Sequence, residues 1–214
     1  MKKFTIAFFA AIFLAVGAQA QSGLGYGLKA GVNFPSYSVE KSEADLKNST
    51  NFYVTGYLDA PITQNLYVQP GVSLQGKGAK FASGSFAGED FELTQNTMWL
   101  EVPVNLVGKI EAGMGNLFLG AGPYVAFGLS GKNKFSTTID GIEDQVRDFK
   151  FGKDNTLKNT DFGINFTAGY EFGNGLQIHG GYGLGLTNIV GKDLESLTGD
   201  VKNRVWSIGI GFGI

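Results

Sequence analysis

The strongest constraint in this sequence is an alternation of bulky apolar residues with small or polar ones. In the last segment, Trp206, Ile208, Ile210, Phe212 and Ile214 alternate with Ser207, Gly209, Gly211 and Gly213. Because successive side chains of a β-strand point to opposite faces, this period of two predicts a strand with one apolar face. A helix is disfavoured, because each interior glycine costs a helix roughly 1 kcal/mol and 33 of the 214 residues are glycine.

The same alternation recurs in seven further segments, so the sequence predicts eight strands. The predicted strands cover residues 24–34, 52–59, 66–75, 99–106, 117–129, 162–172, 176–187 and 206–214. Three prolines, Pro70, Pro103 and Pro123, fall inside these strands. Proline lacks the N–H that a ladder hydrogen bond needs, so we expect local bulges at these three positions.

The lengths of the connections predict how the strands are arranged. Short connections at 61–65, 111–116 and 173–175 alternate with long ones at 35–50, 76–96, 131–159 and 188–201. This alternation is typical of an all-β, eight-stranded antiparallel up-and-down barrel with one short-turn end and one long-loop end. An even number of strands places both termini at the short-turn end.

The charges on the two strand faces indicate which face meets lipid. One face is apolar in every strand, whereas the other carries glycines and polar or titratable residues. Lys29, Asp59, Glu101, Glu171 and His179 belong to this second set. A soluble barrel keeps its apolar face inside, but a transmembrane β-barrel turns it outward to lipid. The sequence favours the transmembrane barrel, surrounded by outer-membrane lipid, with an interior that side chains can fill. We expect both termini on the periplasmic side and the four long loops outside the cell.

The first twenty residues have the three parts of a secretory signal. A basic start at 1–3 precedes the apolar stretch 4–16, and Ala18 and Ala20 supply the small residues of a cleavage site. The apolar stretch is too short for a membrane anchor. We therefore predict a cleaved signal peptide at 1–20 and a single barrel domain at 21–214 in the outer membrane of a Gram-negative bacterium.

Four short motifs carry a family resemblance that extends over nearly all of the chain after residue 20. They are GLKAGVNF at 27–34, LEVPV at 100–104, GAGPY at 120–124 and GLGLTNI at 183–189. With these motifs the chain resembles the PorT-like outer-membrane β-barrel family of Bacteroidota. The resemblance implies an exported outer-membrane barrel. It implies no particular activity, because the motifs mark the barrel and most members have no assigned molecular role.

The titratable residues of the polar face are interpreted as a structural network inside the barrel. We expect Lys29 to pair with Glu101 or Asp59, because charges in a narrow interior need partners. His179, the single histidine, is interpreted as part of this network and not as a catalytic residue. One histidine cannot build a multi-histidine metal site, and the absence of cysteine excludes thiolate chemistry. We predict no enzyme activity and no cofactor.

The expected role is structural or interactive. The barrel would display loops 35–50, 76–96, 131–159 and 188–201 to an extracellular or envelope protein partner. A net charge of −2 gives no reason to expect binding to nucleic acid. The alternatives are a narrow pore or channel, a lipid-modifying barrel enzyme that uses His179, and a soluble ligand-binding barrel.

Overall fold

A computed structural model describes residues 23–40, 47–86, 89–137, 144–152, 157–191 and 199–214. The predicted signal peptide, 1–20, lies outside these residues. The strands are β1 (Gly25–Val39), β2 (Asn51–Pro61), β3 (Leu66–Phe86), β4 (Glu89–Ala112), β5 (Gly115–Thr137), β6 (Gln145–Phe149), β7 (Thr160–Phe172), β8 (Leu176–Gly185) and β9 (Val201–Gly213). No helix in the described part of the chain is long and apolar enough to cross a membrane.

Eight of these strands close into a ring. Each strand from β1 to β4 pairs with the next one, β5 pairs with β7, and β7, β8 and β9 continue in order. The pairing of β9 with β1 closes the ring, and all pairings are antiparallel. The predicted eight-stranded up-and-down barrel is therefore confirmed. The short strand β6 lies outside the ring, on the free edge of the far end of β5.

The orientation of the side chains confirms that the apolar face points outward. Leu28 is 65% exposed and Leu119 is 70% exposed, whereas Glu101 on the opposite face is 2% exposed. The polar face lines the interior, and its buried members include Gln69, Ser73, Lys77, Gln177 and Asn203. This arrangement is the reverse of a soluble barrel and is the arrangement that lipid requires.

The prediction of a loop at 76–96 was wrong. β3 continues to Phe86 and β4 begins at Glu89, and the two strands pair along this whole length. Beyond the bilayer no face of a strand has to be apolar, so the period of two that marks a strand fades although the backbone ladder continues. The other predicted long loops are also shorter, because β1 runs to Val39 and β5 to Thr137.

The three prolines interrupt the ladder, but they do not produce the predicted bulges. Pairing stops beside Pro70, Pro103 and Pro123 and resumes in the same register. A missing N–H removes a hydrogen bond without inserting a residue, so the register is unchanged. The actual register shifts lie between Lys80 and Ala82 and between Met98 and Trp99.

Candidate functional site: the barrel lumen

Near the short turns, one lysine joins carboxylates from opposite walls of the barrel. Lys109 Nζ on β4 lies 2.7 Å from Asp59 Oδ2 on β2 and 3.0 Å from Glu171 Oε2 on β7. Gln69 donates a hydrogen bond of 3.0 Å to Asp59, and Gln177 donates one of 2.7 Å to Glu171. We call Lys109, Asp59 and Glu171 the turn-end layer. It spans the lumen, because β2 and β7 are four strands apart in the ring.

A second group of the same kind lies towards the long loops. Lys77 Nζ on β3 lies 3.0 Å from Glu101 Oε2 and 3.2 Å from Asp161 Oδ2. We call Lys77, Glu101 and Asp161 the loop-end layer. The exposed fractions of these three side chains are 3%, 2% and 0%. The layer joins neighbouring strands β3 and β4 to β7, which lies three strands from β3 around the ring.

The carboxylates of the loop-end layer have further hydrogen-bond donors. Tyr124 donates to Asp161 Oδ2 at 3.0 Å, Asn203 donates to the same oxygen at 2.8 Å, and Thr187 donates to Oδ1 at 3.0 Å. Asn165 donates to Glu101 Oε1 at 2.8 Å. A buried charge is stable only when it is paired and hydrogen-bonded, and these carboxylates meet both conditions.

Lys29 does not have the partners that the sequence predicted. Its Nζ lies 3.4 Å from Gln69 Oε1 and 4.5 Å from the centre of the Tyr57 ring. Within the described residues, no carboxylate lies within ion-pair distance of this ammonium group. The prediction failed because Lys109 and Lys77 already occupy the positions between the carboxylates. Parity, which means the odd or even position of a residue along its strand, shows only that a lysine points inward. It does not show which of several inward lysines reaches a given carboxylate.

His179 on β8 points into the lumen, where its Nε2 forms a 2.5 Å hydrogen bond with the Tyr53 hydroxyl on β2. His179 is 5% exposed. This position is separated by the barrel wall from the lipid face on which a lipid-modifying enzyme would act. Among the described residues, no group of three or more His, Asp or Glu side chains could hold a metal ion.

Between the two layers lies a polar cavity of about 100 Å³. Asn33, Asn105 and His179 line it. Asn33 Oδ1, Asn105 Oδ1 and His179 Nδ1 are buried and find no hydrogen-bond partner among the described residues. A polar cavity of this size admits water, which can supply the missing hydrogen bonds. The lumen therefore combines ionic layers with a hydrated compartment.

Beyond the loop-end layer, apolar side chains from the strands and their connections pack together, and we call this group the apolar cover. Trp99 is fully buried, and its ring centre lies 4.7 Å from that of Phe151. Gly128 and Gly131 on β5 make this packing possible, because a Cβ at either position would overlap the ring of Phe151 or Phe149. A larger apolar cluster continues this cover. Its buried members are Tyr37, Ala79, Leu157, Ile189, Val190 and Val201.

Three residues of the two layers were missed by the sequence reasoning. Lys77 was assigned to a loop, Asp161 lay one residue before a predicted strand, and Lys109 lay beyond the end of another. A usable signal existed for Lys77, because it continues the odd-numbered inward series of β3 that contains Ser73. Asp161 continues the inward series of β7 in the same way.

Comparison with known proteins identifies the family of this barrel. Residues 18–191 match the model of the family described as outer membrane protein beta-barrel domain. The chain belongs to this family. It is therefore an outer-membrane β-barrel protein, which agrees with its outward apolar face and its closed ring of strands. No curated protein matches its sequence.

Several solved structures are similar to this outer-membrane barrel. Ail, the attachment invasion locus protein of Yersinia pestis, is 16% identical, with 89% of this chain and 98% of Ail covered at a TM-score of 0.43. Neisserial surface protein A is 14% identical, with 90% and 99% covered at a TM-score of 0.44. The N-terminal β-barrel domain of Pseudomonas aeruginosa OprF is 10% identical, with 89% and 97% covered at a TM-score of 0.37.

Proposed function

We propose that this protein is a closed outer-membrane scaffold that presents its long-loop end for interaction and has no enzymatic role. The observation that carries the proposal is the position of Lys77, whose ammonium group joins Glu101 and Asp161 inside the lumen with almost no exposure. An ion passing along the barrel would have to separate these charges. Separation would leave buried charges without partners, at a cost of several kcal/mol.

The shape of the long-loop end supports a role in interaction. β3, β4 and β5 continue past the start of β7, and β6 pairs with Gly131–Phe135 of β5 beyond that point. We call this four-stranded extension the raised wall. Regular hydrogen-bonded strands hold a surface in one shape, which lowers the entropy cost of binding a partner. An extracellular or envelope protein is the proposed partner.

The raised wall gives a direct test of display. A short peptide epitope is inserted between Phe86 and Glu89, where β3 passes into β4. A matched insertion is made in the short turn 173–175 between β7 and β8. Intact cells are then stained with an antibody against the epitope, and heat-dependent gel mobility checks that both variants fold.

The proposal expects staining of intact cells for the first insertion, and for the second insertion only after the outer membrane is permeabilised. Staining of intact cells through the short turn alone would overturn the proposed orientation. Absence of staining from both folded variants would overturn display at the cell surface.

Two finer assignments belong to the same proposal. We infer that residues 1–20 are removed on export, so that N-terminal sequencing of protein from outer membranes would begin at Gln21. We also infer that the chain belongs to the PorT-like group within its family, on the motifs at 27–34, 100–104, 120–124 and 183–189. Isolation of protein that retains Met1 would contradict the first assignment.

A further inference from the structure

The lipid-facing wall carries an apolar groove across β1 to β4. Its volume is about 330 Å³, which falls within the range of about 300–1,000 Å³ that is typical of ligand pockets. The larger side chains that line it are Tyr26, Leu58, Pro70, Val72, Val102 and Val104. The remaining lining residues are three glycines and Tyr57, so none of the lining residues carries a charge.

The groove exists because two outward positions do not fill the space between their neighbours. Gly56 on β2 has no side chain, and Pro70 on β3 is buried. Around them, the lining residues Tyr26 and Val72 are 58% and 51% exposed. The bulky side chains therefore form the rims, while Gly56 and Pro70 form the floor.

The wall beneath the groove lacks part of its hydrogen-bond ladder. Residues 58–59 of β2 do not pair with residues 69–70 of β3. Residues 71–72 of β3 do not pair with residues 102–103 of β4. These two gaps adjoin along β3. Uninterrupted pairing holds neighbouring strands in a regular sheet, so the gaps beside Pro70 and Pro103 allow the wall to bend inward at this place.

We propose that this groove binds one acyl chain of a membrane lipid. The groove opens onto the lipid-facing belt of the barrel and is continuous with it, so its occupant arrives from the bilayer. An apolar lining without charges matches a hydrocarbon chain, and contact between the chain and the groove restores the dispersion contacts that an empty depression lacks.

The test uses the mature protein refolded into phosphatidylcholine vesicles that contain a phosphatidylcholine with a diazirine in the middle of one acyl chain. After illumination, labelled residues are located by mass spectrometry. We expect labelling of Leu58, Val72 and Val102 to exceed that of Ile178 and Ile208 by about fivefold, which corresponds to a preference of about 1 kcal/mol. Ile178 and Ile208 lie on β8 and β9, away from the groove.

The chain offers a matched pair of variants for this test. A Cβ at Gly56 would lie 3.6 Å from Leu28 Cδ2, and one at Gly180 on the opposite wall would lie 3.6 Å from the Ser207 carbonyl oxygen. Both are ordinary contacts. Gly56→Leu fills the groove and should abolish the excess labelling, whereas Gly180→Leu should leave it unchanged. Val72→Phe fills the groove from its rim and replaces Gly56→Leu if that variant does not fold.

Two results would overturn the proposal. Equal labelling around the belt of the folded wild-type protein would mean that the groove does not retain a chain. Labelling at the groove below that of β8, together with a chemically cross-linked dimer that disappears in Gly56→Leu, would mean that a second copy of the protein covers the groove.

Discussion

The two ionic layers have the same composition but differ in their contact with water. In each layer one lysine joins two carboxylates across the lumen. The side chains of Lys77, Glu101 and Asp161 are no more than 3% exposed. Those of the turn-end layer, Lys109, Asp59 and Glu171, are 10%, 14% and 17% exposed. The same chemistry thus occurs in a nearly fully buried and in a partly exposed form within one barrel.

This difference assigns different tasks to the two layers. When a buried ion pair loses one partner, the other partner remains as an uncompensated charge, but water can solvate a partly exposed one. The turn-end layer can therefore tolerate a lost partner better than the loop-end layer. We infer that the loop-end layer and the apolar cover around Trp99 close the lumen, while the turn-end layer stabilises its entrance.

The largest expected effect is that of Lys77→Met, which leaves Glu101 and Asp161 buried without a cation. We expect the free energy of unfolding to fall by about 3–5 kcal/mol. Urea unfolding of the refolded protein in detergent, followed by heat-dependent gel mobility, measures this loss. A loss no larger than that of Lys109→Met would contradict the inference that burial makes the loop-end layer the more sensitive of the two.

The next largest effect is expected for Asp161→Asn. The amide keeps one acceptor oxygen, and an NH₂ group replaces the other. If Oδ2 is replaced, this group faces the donors of Lys77, Tyr124 and Asn203. If Oδ1 is replaced, it faces the donor of Thr187. Hydrogen bonds to a charged group contribute about 1.5–3 kcal/mol, so we expect a loss of about 2 kcal/mol in the same assay. Asp59→Asn in the turn-end layer is the matched control and should lose less.

Lys109→Met should have a smaller effect than either change in the loop-end layer. Asp59 and Glu171 retain donors in Gln69 and Gln177, and both carboxylates are reached by water. We expect a loss of about 1–2 kcal/mol, within the range of a few hydrogen bonds. A loss of the size expected for Lys77→Met would mean that water does not reach this end of the lumen.

The smallest effect is expected on the raised wall, where Lys80 Nζ lies 2.8 Å from Glu92 Oε2. Both side chains are about one-third exposed, so Lys80→Met should cost only about 0.5 kcal/mol. The hydrogen bond from Lys80 holds the pKa of the Glu92 carboxyl below its usual value. The contribution of this ion pair to the free energy of unfolding is present at neutral pH and is lost as the pH falls through this lowered pKa. The free energies of unfolding of wild type and variant should therefore converge in acid. A difference between them that grows in acid would contradict the pairing.

The sequence was sufficient to predict the strands within the bilayer and the face that meets lipid. Lipid outside and a polar lumen inside force a strict period of two, so residues such as Leu28 and Glu101 could be assigned by parity alone. Outside the bilayer this constraint is absent, which is why the paired residues 76–86 and 89–96 were predicted as part of a loop.

The partners within the lumen could not be predicted in the same way. Parity places Lys29, Lys77 and Lys109 inside, but the height of each ammonium group depends on the tilt and stagger of the strands. Only the closed ring shows that Lys77 reaches Asp161 on β7 and that Lys109 reaches Glu171. The gaps at Pro70 and Pro103 adjoin for the same reason, because they become neighbours only when β2, β3 and β4 are in register.

The closed scaffold that we propose depends on the loop-end layer and its apolar cover closing the lumen. The most direct test is the conductance of the refolded wild-type protein in planar lipid bilayers, with an empty-detergent control. We expect no steady current above the control under an applied potential. A steady current from the wild-type barrel would contradict a closed lumen and would favour the narrow pore.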